Sequence, residues 1–394
     1  MTLLKPLIAS AVLATSAASM AAHADDRPEL RIGVVNSVTG GASAIAAGAV
    51  TSINFMEEQL AADSDQALRV KFIKYDDASD PTKAVNAVRK LIQQDDVHLV
   101  ICCTTTPASL AVNKVVDEEQ VPNVSLASAA SVIEPANERK YTFKTPVTDR
   151  LMIEHTLDYM VDQGYEKLAF MGLDDSYGEG GWVEFQRVAE EKELEVVAAE
   201  RFSRSDTNFT PQALRVSQKN PDAVYFHAIP PSAALAHQTL KRVGYTGPIF
   251  HGGGAPIASF VEVGKDAVEG ALIGSSPVVI YRDLPDDHPL KQRISAFAHD
   301  YDAKYGEGKT DLFAAQAHDA VHVPIEAYQN VVDAGEPDDL AEQREALRDA
   351  IESLTDYVGM NGFYSYSESD HLGLDSRSTF LSVVEDGKFR LLSE

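Results

Sequence analysis

Apolar and polar positions in the first half of the chain follow a repeating strand–helix rhythm. Residues 30–35 form an apolar run of strand length, 44–61 carry helical periodicity, and 70–75 alternate with period two. Residues 81–93 are helical again, with Asp80 as a good N-cap before Pro81. Residues 97–102 read as a strand, 108–119 as a helix and 123–126 as a strand. A second set follows: helix 148–163, strand 167–173, helix 180–192, strand 195–198, helix 210–219, strand 223–226, helix 232–243 and strand 248–251. Alternating units of this kind pair their strands in parallel through right-handed crossovers, so the pattern predicts two open α/β sheets, each flanked by helices.

The last third breaks the rhythm. Residues 288–305, 312–332 and 342–353 are helical patterns with no strand between them. Such helices must pad a sheet that already exists. Residues 380–384 and 388–391 then read as a closing antiparallel pair around Glu385, Asp386 and Gly387. The expected fold class is therefore α/β and two-lobed, with three hinge crossovers and a cleft between the lobes. The expected division places residues 25–145 and 277–356 in the N-terminal lobe, and 146–276 and 357–394 in the C-terminal lobe.

The first 24 residues change the picture of where the chain works. Lys5 is their only formal charge; an apolar stretch follows and ends at Ala22-His23-Ala24 before Asp25. A basic start, apolar middle and A-x-A end predict a cleaved signal peptide over 1–24, with cleavage near Ala24–Asp25 and export to the periplasm. Removing it leaves 370 of the 394 residues, too many for one ordinary core and suited to two lobes. The formal net charge of −26 argues against nucleic acid or an anionic membrane as partner, and no later segment is apolar enough for membrane insertion. The two cysteines, Cys102 and Cys103, are adjacent. Neighbouring cysteines rarely satisfy disulfide geometry, so two buried thiols are expected.

In open α/β sheets ligands bind beyond the carboxyl ends of the strands, where helix N-termini offer unpaired N–H groups. The loop at 36–43 (NSVTGGAS) ends in Ser43. The next candidate loop holds Thr104, Thr105 and Thr106 before Pro107. Capping needs one hydroxyl, and three in a row at a helix start suit a carboxylate. Ala127, Ser128 and Ala129 are small enough for a ligand to approach the backbone, and Ser128 can donate. In the second set, Tyr177 offers a ring face and a hydroxyl. His227, His251 and Gly253 stand in later strand-end loops. His318, Asp319 and His322 form at most a partial metal set inside a helical pattern. There is no G-x-S-x-G elbow, Walker loop or H-E-x-x-H, so no enzyme activity, no cofactor and no metal is expected.

The chain resembles the leucine/isoleucine/valine-binding (branched-chain amino acid) type of ABC transporter substrate-binding protein, with the type I periplasmic binding fold. The resemblance rests on 75–81 (YDDASDP), 104–109 (TTTPAS), 143–146 (FKTP), 177–180 (YGEG), 268–270 (VEG), 327–328 (AY) and the ending from 362–364 (GFY) to 371–373 (HLG). It implies a monomeric receptor that binds a small molecule between its lobes and docks on a membrane ABC permease. It also implies that Thr104–Thr106 and Ala127–Ala129 hold a ligand carboxylate and that Tyr177 lines the opposite lobe. The pattern departs from the amino-acid binders where they carry an acidic residue for the ammonium: here stand Gly252, Gly253 and Gly254. Ile229 stands in place of a second tyrosine, Ile45 of an aromatic and Ser79 of a cysteine. A desolvated ammonium without a carboxylate partner is costly, so an amine-free organic acid or an amide is expected to fit better than an amino acid. The same fold would serve a signalling sensor, and an exported hydrolase is the remote alternative.

Overall fold

The computed structural model describes residues 27–392. The signal segment expected over 1–24 and its cleavage point lie outside the described residues.

Five strands build the first sheet: β1 (Glu29–Asn36), β2 (Arg69–Asp76), β3 (Leu99–Cys102), β4 (Asn123–Ser125) and β5 (Thr142–Lys144). They lie in the order β2-β1-β3-β4-β5, all parallel. Helices α1 (Ser43–Ala62), α2 (Pro81–Gln93) and α3 (Thr106–Glu118) make the crossovers. Asp80 caps α2 as expected, its Oδ1 accepting from Thr82 N at 2.8 Å and Lys83 N at 3.0 Å.

The second unit contains α4 (Asp149–Asp162), β6 (Lys167–Leu173), α5 (Ser176–Glu191), β7 (Glu195–Phe202), α6 (Thr210–Ser217) and β8 (Ala223–His227). It continues through α7 (Ser232–Arg242), β9 (Ile249–His251), α8 (Ala258–Gly264) and β10 (Leu272–Ser275). After α9 (Pro277–Ile280) come the three helices of the last third: α10 (Pro289–Tyr305), α11 (Leu312–Gly335) and α12 (Leu340–Glu352). A short pair, β11 (Tyr357–Val358) and β12 (Phe363–Tyr364), precedes the hairpin β13 (Phe380–Glu385) and β14 (Lys388–Leu391). The hairpin joins the second sheet antiparallel to β10, giving the order β14-β13-β10-β9-β8-β6-β7.

In each sheet the strand order reverses beside its first strand, between β1 and β3 and between β6 and β8. Successive crossovers leave these points in opposite directions and open a crevice at the carboxyl ends. The late helices pack back on the first unit. The Ser52 hydroxyl of α1 donates to the Ala314 carbonyl of α11 at 2.9 Å, burying the apolar faces of both helices.

His98, just before β3, pins α12 to the first sheet. Its Nδ1 accepts from Arg31 N at 2.9 Å, and its Nε2 lies 3.1 Å from Gln343 Oε1. Burial pulls its pKa down to about 4. The unfolded chain protonates histidine near pH 6.5. This contribution to stability is thus complete above pH 6.5, is lost as pH falls toward 4, and levels off below. Between pH 6.5 and 5 it should remove about 2 kcal/mol. Urea unfolding of the wild type and His98→Asn at pH 7 and pH 5 checks this: the gap between the two proteins should narrow by that amount. A gap of constant size would show that His98 is not held neutral.

Asp319 of α11 ties down the final crossing between the units. Its carboxylate accepts from Met360 N at 2.8 Å, Asn361 N at 2.8 Å and Asn361 Nδ2 at 2.9 Å, and lies 3.0 Å from His318 Nδ1. The Tyr364 hydroxyl sits 2.9 Å from Asp319 and 2.7 Å from the Thr145 carbonyl oxygen, so the first and last crossings meet at one buried point.

The sequence reading is corrected at the cysteines. Cys102 and Cys103 are joined by a disulfide, with Cα atoms 3.0 Å apart across a cis peptide bond, and are not two thiols.

Candidate functional site

Loops from both switch points meet in a chamber between the two units. From the first come Ile45, Thr104, Thr105, Thr106, Leu126, Ala127 and Ser128, with Phe313 of α11; from the second come Tyr177, Arg204, Ile229 and Gly254. The chamber is largely shut off from solvent: Thr105 is 9 % exposed and Tyr177 6 %.

Thr105 stands at the N-cap position of α3, yet its side chain makes no capping hydrogen bond. Thr104 is committed to the fold, for its hydroxyl donates to Asn36 Oδ1 at 3.2 Å and accepts from Ser37 N at 3.2 Å. The helix dipole and first-turn N–H groups of α3 add positive potential at this wall.

The Ser128 loop is fixed from beneath. The buried Lys144 ammonium of β5 donates to the Ser128 carbonyl and, at 3.5 Å, to that of Ala129. Burial draws its pKa down to about 8. Asp149, at the start of α4, accepts from Ala130 N at 3.1 Å and gives its own N–H to the Ser128 carbonyl at 3.3 Å.

On the facing wall Asp175 caps α5, its Oδ1 accepting from Tyr177 N at 3.0 Å and Gly178 N at 3.2 Å. Its Oδ2 accepts from Arg204 Nε at 2.5 Å. Burial raises the pKa of Tyr177, so its hydroxyl keeps its proton and can donate. Among the described residues that line the chamber, none is acidic and Arg204 is the one with a formal charge. A separate solvent-open groove is lined by Pro107, Ala130 and Ser131 on one side and by Asp174, Asp175, Glu179, Glu184 and Arg201 on the other.

The structure brings Thr104, Thr105, Thr106, Ala127, Ser128 and Tyr177 to the chamber wall. It places the other expected residues elsewhere. Ser43 is the first residue of α1, half-buried, behind a loop fastened by Asp76 and Ser79: Thr39 Oγ1 donates to Asp76 at 2.7 Å, and Ser79 Oγ accepts from Ala42 N at 3.0 Å. Ala129 faces α5, 3.7 Å from where a side chain on Gly180 would begin. His227 is buried behind Tyr177, ring centroids 4.2 Å apart, and burial pulls its pKa down to about 3. His251 is fully buried and sits with Nε2 2.9 Å from His237 Nδ1. Gly253 lets α4 come close, since a Cβ there would lie 2.0 Å from Met152 Sδ. Arg204 and Phe313 line the chamber and were not among the sequence candidates. Ile45, Ile229 and Gly254 line it at positions where the family comparison marks departures.

Among the described residues no group of three His, Cys, Asp or Glu is placed to hold a metal ion, and no helix is long and apolar enough to cross a membrane. The rings of His318 and His322 lie 4.3 Å apart and tilted by 35° within α11.

Residues 29–388 match the periplasmic binding protein family. A Leu/Ile/Val-binding protein of Citrobacter freundii is 22 % identical over 233 residues, covering 59 % of this chain and 62 % of that protein. An amino acid binding protein of Pseudomonas aeruginosa is 23 % identical over 235 residues, covering 58 % of this chain and 61 % of that protein. Both matches thus span less than two thirds of the relative. Among solved structures, an extracellular ligand-binding receptor from Rhodopseudomonas palustris is 29 % identical with a TM-score of 0.86, covering 93 % of this chain and all of that one. A branched-chain amino acid transporter substrate binding protein from Streptococcus pneumoniae, in complex with isoleucine, is 20 % identical with a TM-score of 0.77 and covers 92 % of this chain, a likeness of fold alone.

Proposed function

The chain belongs to the periplasmic binding protein family, and we propose that it is an exported receptor for a small carboxylate without an amine. The ligand lies between the two lobes of this type I fold and is delivered to the membrane permease of an ABC importer. The observation that carries the ligand class is the make-up of the chamber: hydroxyl and backbone donors, one guanidinium, and no carboxylate. An ammonium brought there would shed its water and face Arg204, with no lining acid to balance it. A carboxylate would find the Thr105 hydroxyl, left unused by its helix, the N-terminus of α3 and the loop of Ser128.

Two measurements test this. A thermal-shift screen of the protein against amino acids, aliphatic acids, aromatic acids and amides should respond to amine-free acids. At about 100 times its dissociation constant, such a ligand adds about 2.7 kcal/mol of stability. A response confined to leucine, isoleucine or valine would overturn the amine-free reading. By calorimetry, Thr105→Ala should weaken the best acid by about 1.5 to 3 kcal/mol, the worth of one charge-assisted hydrogen bond. Unchanged affinity would remove that hydroxyl from the site.

A further inference from the structure

Arg204 carries more donors than the protein uses. A guanidinium offers five N–H groups in a rigid fork. Its Nε is spent on Asp175, whose other oxygen already serves the first turn of α5. Its Nη1 is buried and has no hydrogen-bond partner. Buried donors are nearly always satisfied, so a buried guanidinium N–H at a binding chamber is suited to a ligand acceptor. The pairing with Asp175 fixes one edge of the guanidinium, which lowers the side-chain entropy lost when a second acceptor arrives. Arg204 lines the same chamber as the threonine loop but comes from the second unit, as Tyr177 does.

We propose that Arg204 holds a second oxygen of the ligand. The receptor thereby selects acids that carry, beyond the carboxylate, a further acceptor such as a second carboxylate, a keto group or a hydroxyl. This rests on the carboxylate reading above and deepens it. A site built to bond a ligand oxygen rejects the analogue that lacks it, because its own donor is then left buried and unpaired.

The test is calorimetry on the intact protein with unbranched acids of three to six carbons. At each length the plain monoacid is compared with its dicarboxylate and its terminal hydroxy acid, which separate a charged second oxygen from an uncharged one. The better oxygenated acid should bind at least about tenfold tighter than the matched monoacid. Arg204→Met should abolish that preference, the oxygenated acid then binding no tighter than the matched monoacid, and Arg204→Lys should keep part of it. The preference is a ratio within one protein, so any loss of stability in a variant cancels. Equal affinity for monoacid and oxygenated acid in the wild type, or a preference that survives Arg204→Met, overturns the role of Arg204 and leaves the carboxylate site standing. Failure of every acid, with an amino acid bound instead, overturns the carboxylate reading and this one with it.

Discussion

Replacing Asp319 by alanine is expected to destabilise the protein by about 4 kcal/mol. The carboxylate is fully buried and collects the amides of Met360 and Asn361, the Asn361 side chain and the Tyr364 hydroxyl, with His318 beside it. Removing it leaves several buried donors unpaired at once, each costing about 1 to 3 kcal/mol and not additively. Urea unfolding at pH 7 measures the loss; a change under about 1 kcal/mol would show that these donors find other partners. The pH dependence adds a second check. Burial pushes this carboxyl up, but the bonds from His318 and from the two amides win and hold it below the usual range. Its contribution is therefore complete above the unfolded-state value of about 3.9 and is lost as pH falls through the folded-state value. The alanine variant should lack that final acid step. Asp319 also joins α11 to the last crossing, so the variant should show faster hydrogen exchange around 359–364 before the sheets open.

The second large effect is expected at Gly178. A Cβ there would lie 1.9 Å from the Leu173 carbonyl oxygen and 2.5 Å from its carbon. These are backbone atoms at the end of β6, and they cannot swing aside as a side-chain tip can. Gly178→Ala must lift the first turn of α5 from the strand, at about 3 kcal/mol, the upper part of the usual overpacking range. Tyr177 moves with that turn, so affinity for the best ligand of the screen should fall about 100-fold, at the upper end of what one charge-assisted hydrogen bond is worth. Gly41→Ala is the control: its Cβ meets nothing within 4 Å, and both stability and affinity should stay close to wild type. If Gly178→Ala folds and binds as well as that control, the close approach of helix and strand is not needed.

Gly178 also shows how far the sequence could be read. The YGEG motif marks the segment and its tyrosine, but the reason for its first glycine is a distance across the fold and leaves no trace in local pattern. The long apolar and alternating runs were legible because period alone separates helix from strand. Residues 81–93 and 167–173 coincide with α2 and β6. The short strands β5 and β10, of three and four residues, carry too few positions to show a period, and α8 and α9 are equally brief.

Arg204 escaped notice for a physical reason. The strand reading covers 195–198, and Glu200 and Arg201 look like the start of a loop. Yet β7 continues to Phe202 because it is the outermost strand, where charged side chains are tolerated and even useful. A strand of 195–198 stops short of the loop that carries Arg204. The histidines erred in the other direction. His227 and His251 stand at strand ends as expected, but a strand sends successive side chains to opposite faces, and the sequence does not say which face meets the cleft. Both rings turned into the interior of the second unit.

The late return of the chain to the first unit sets an order of events at the ribosome. Ser52 of α1 meets its partner Ala314 only after 262 further residues have been made. At about 5 to 20 residues per second, that is roughly 13 to 50 seconds during which one apolar flank of α1 has no cover. The second unit lies almost wholly inside this interval, and its core can close while the first still waits. A nascent chain of this design therefore carries an uncovered apolar helix flank until the residues around Ala314 have been made.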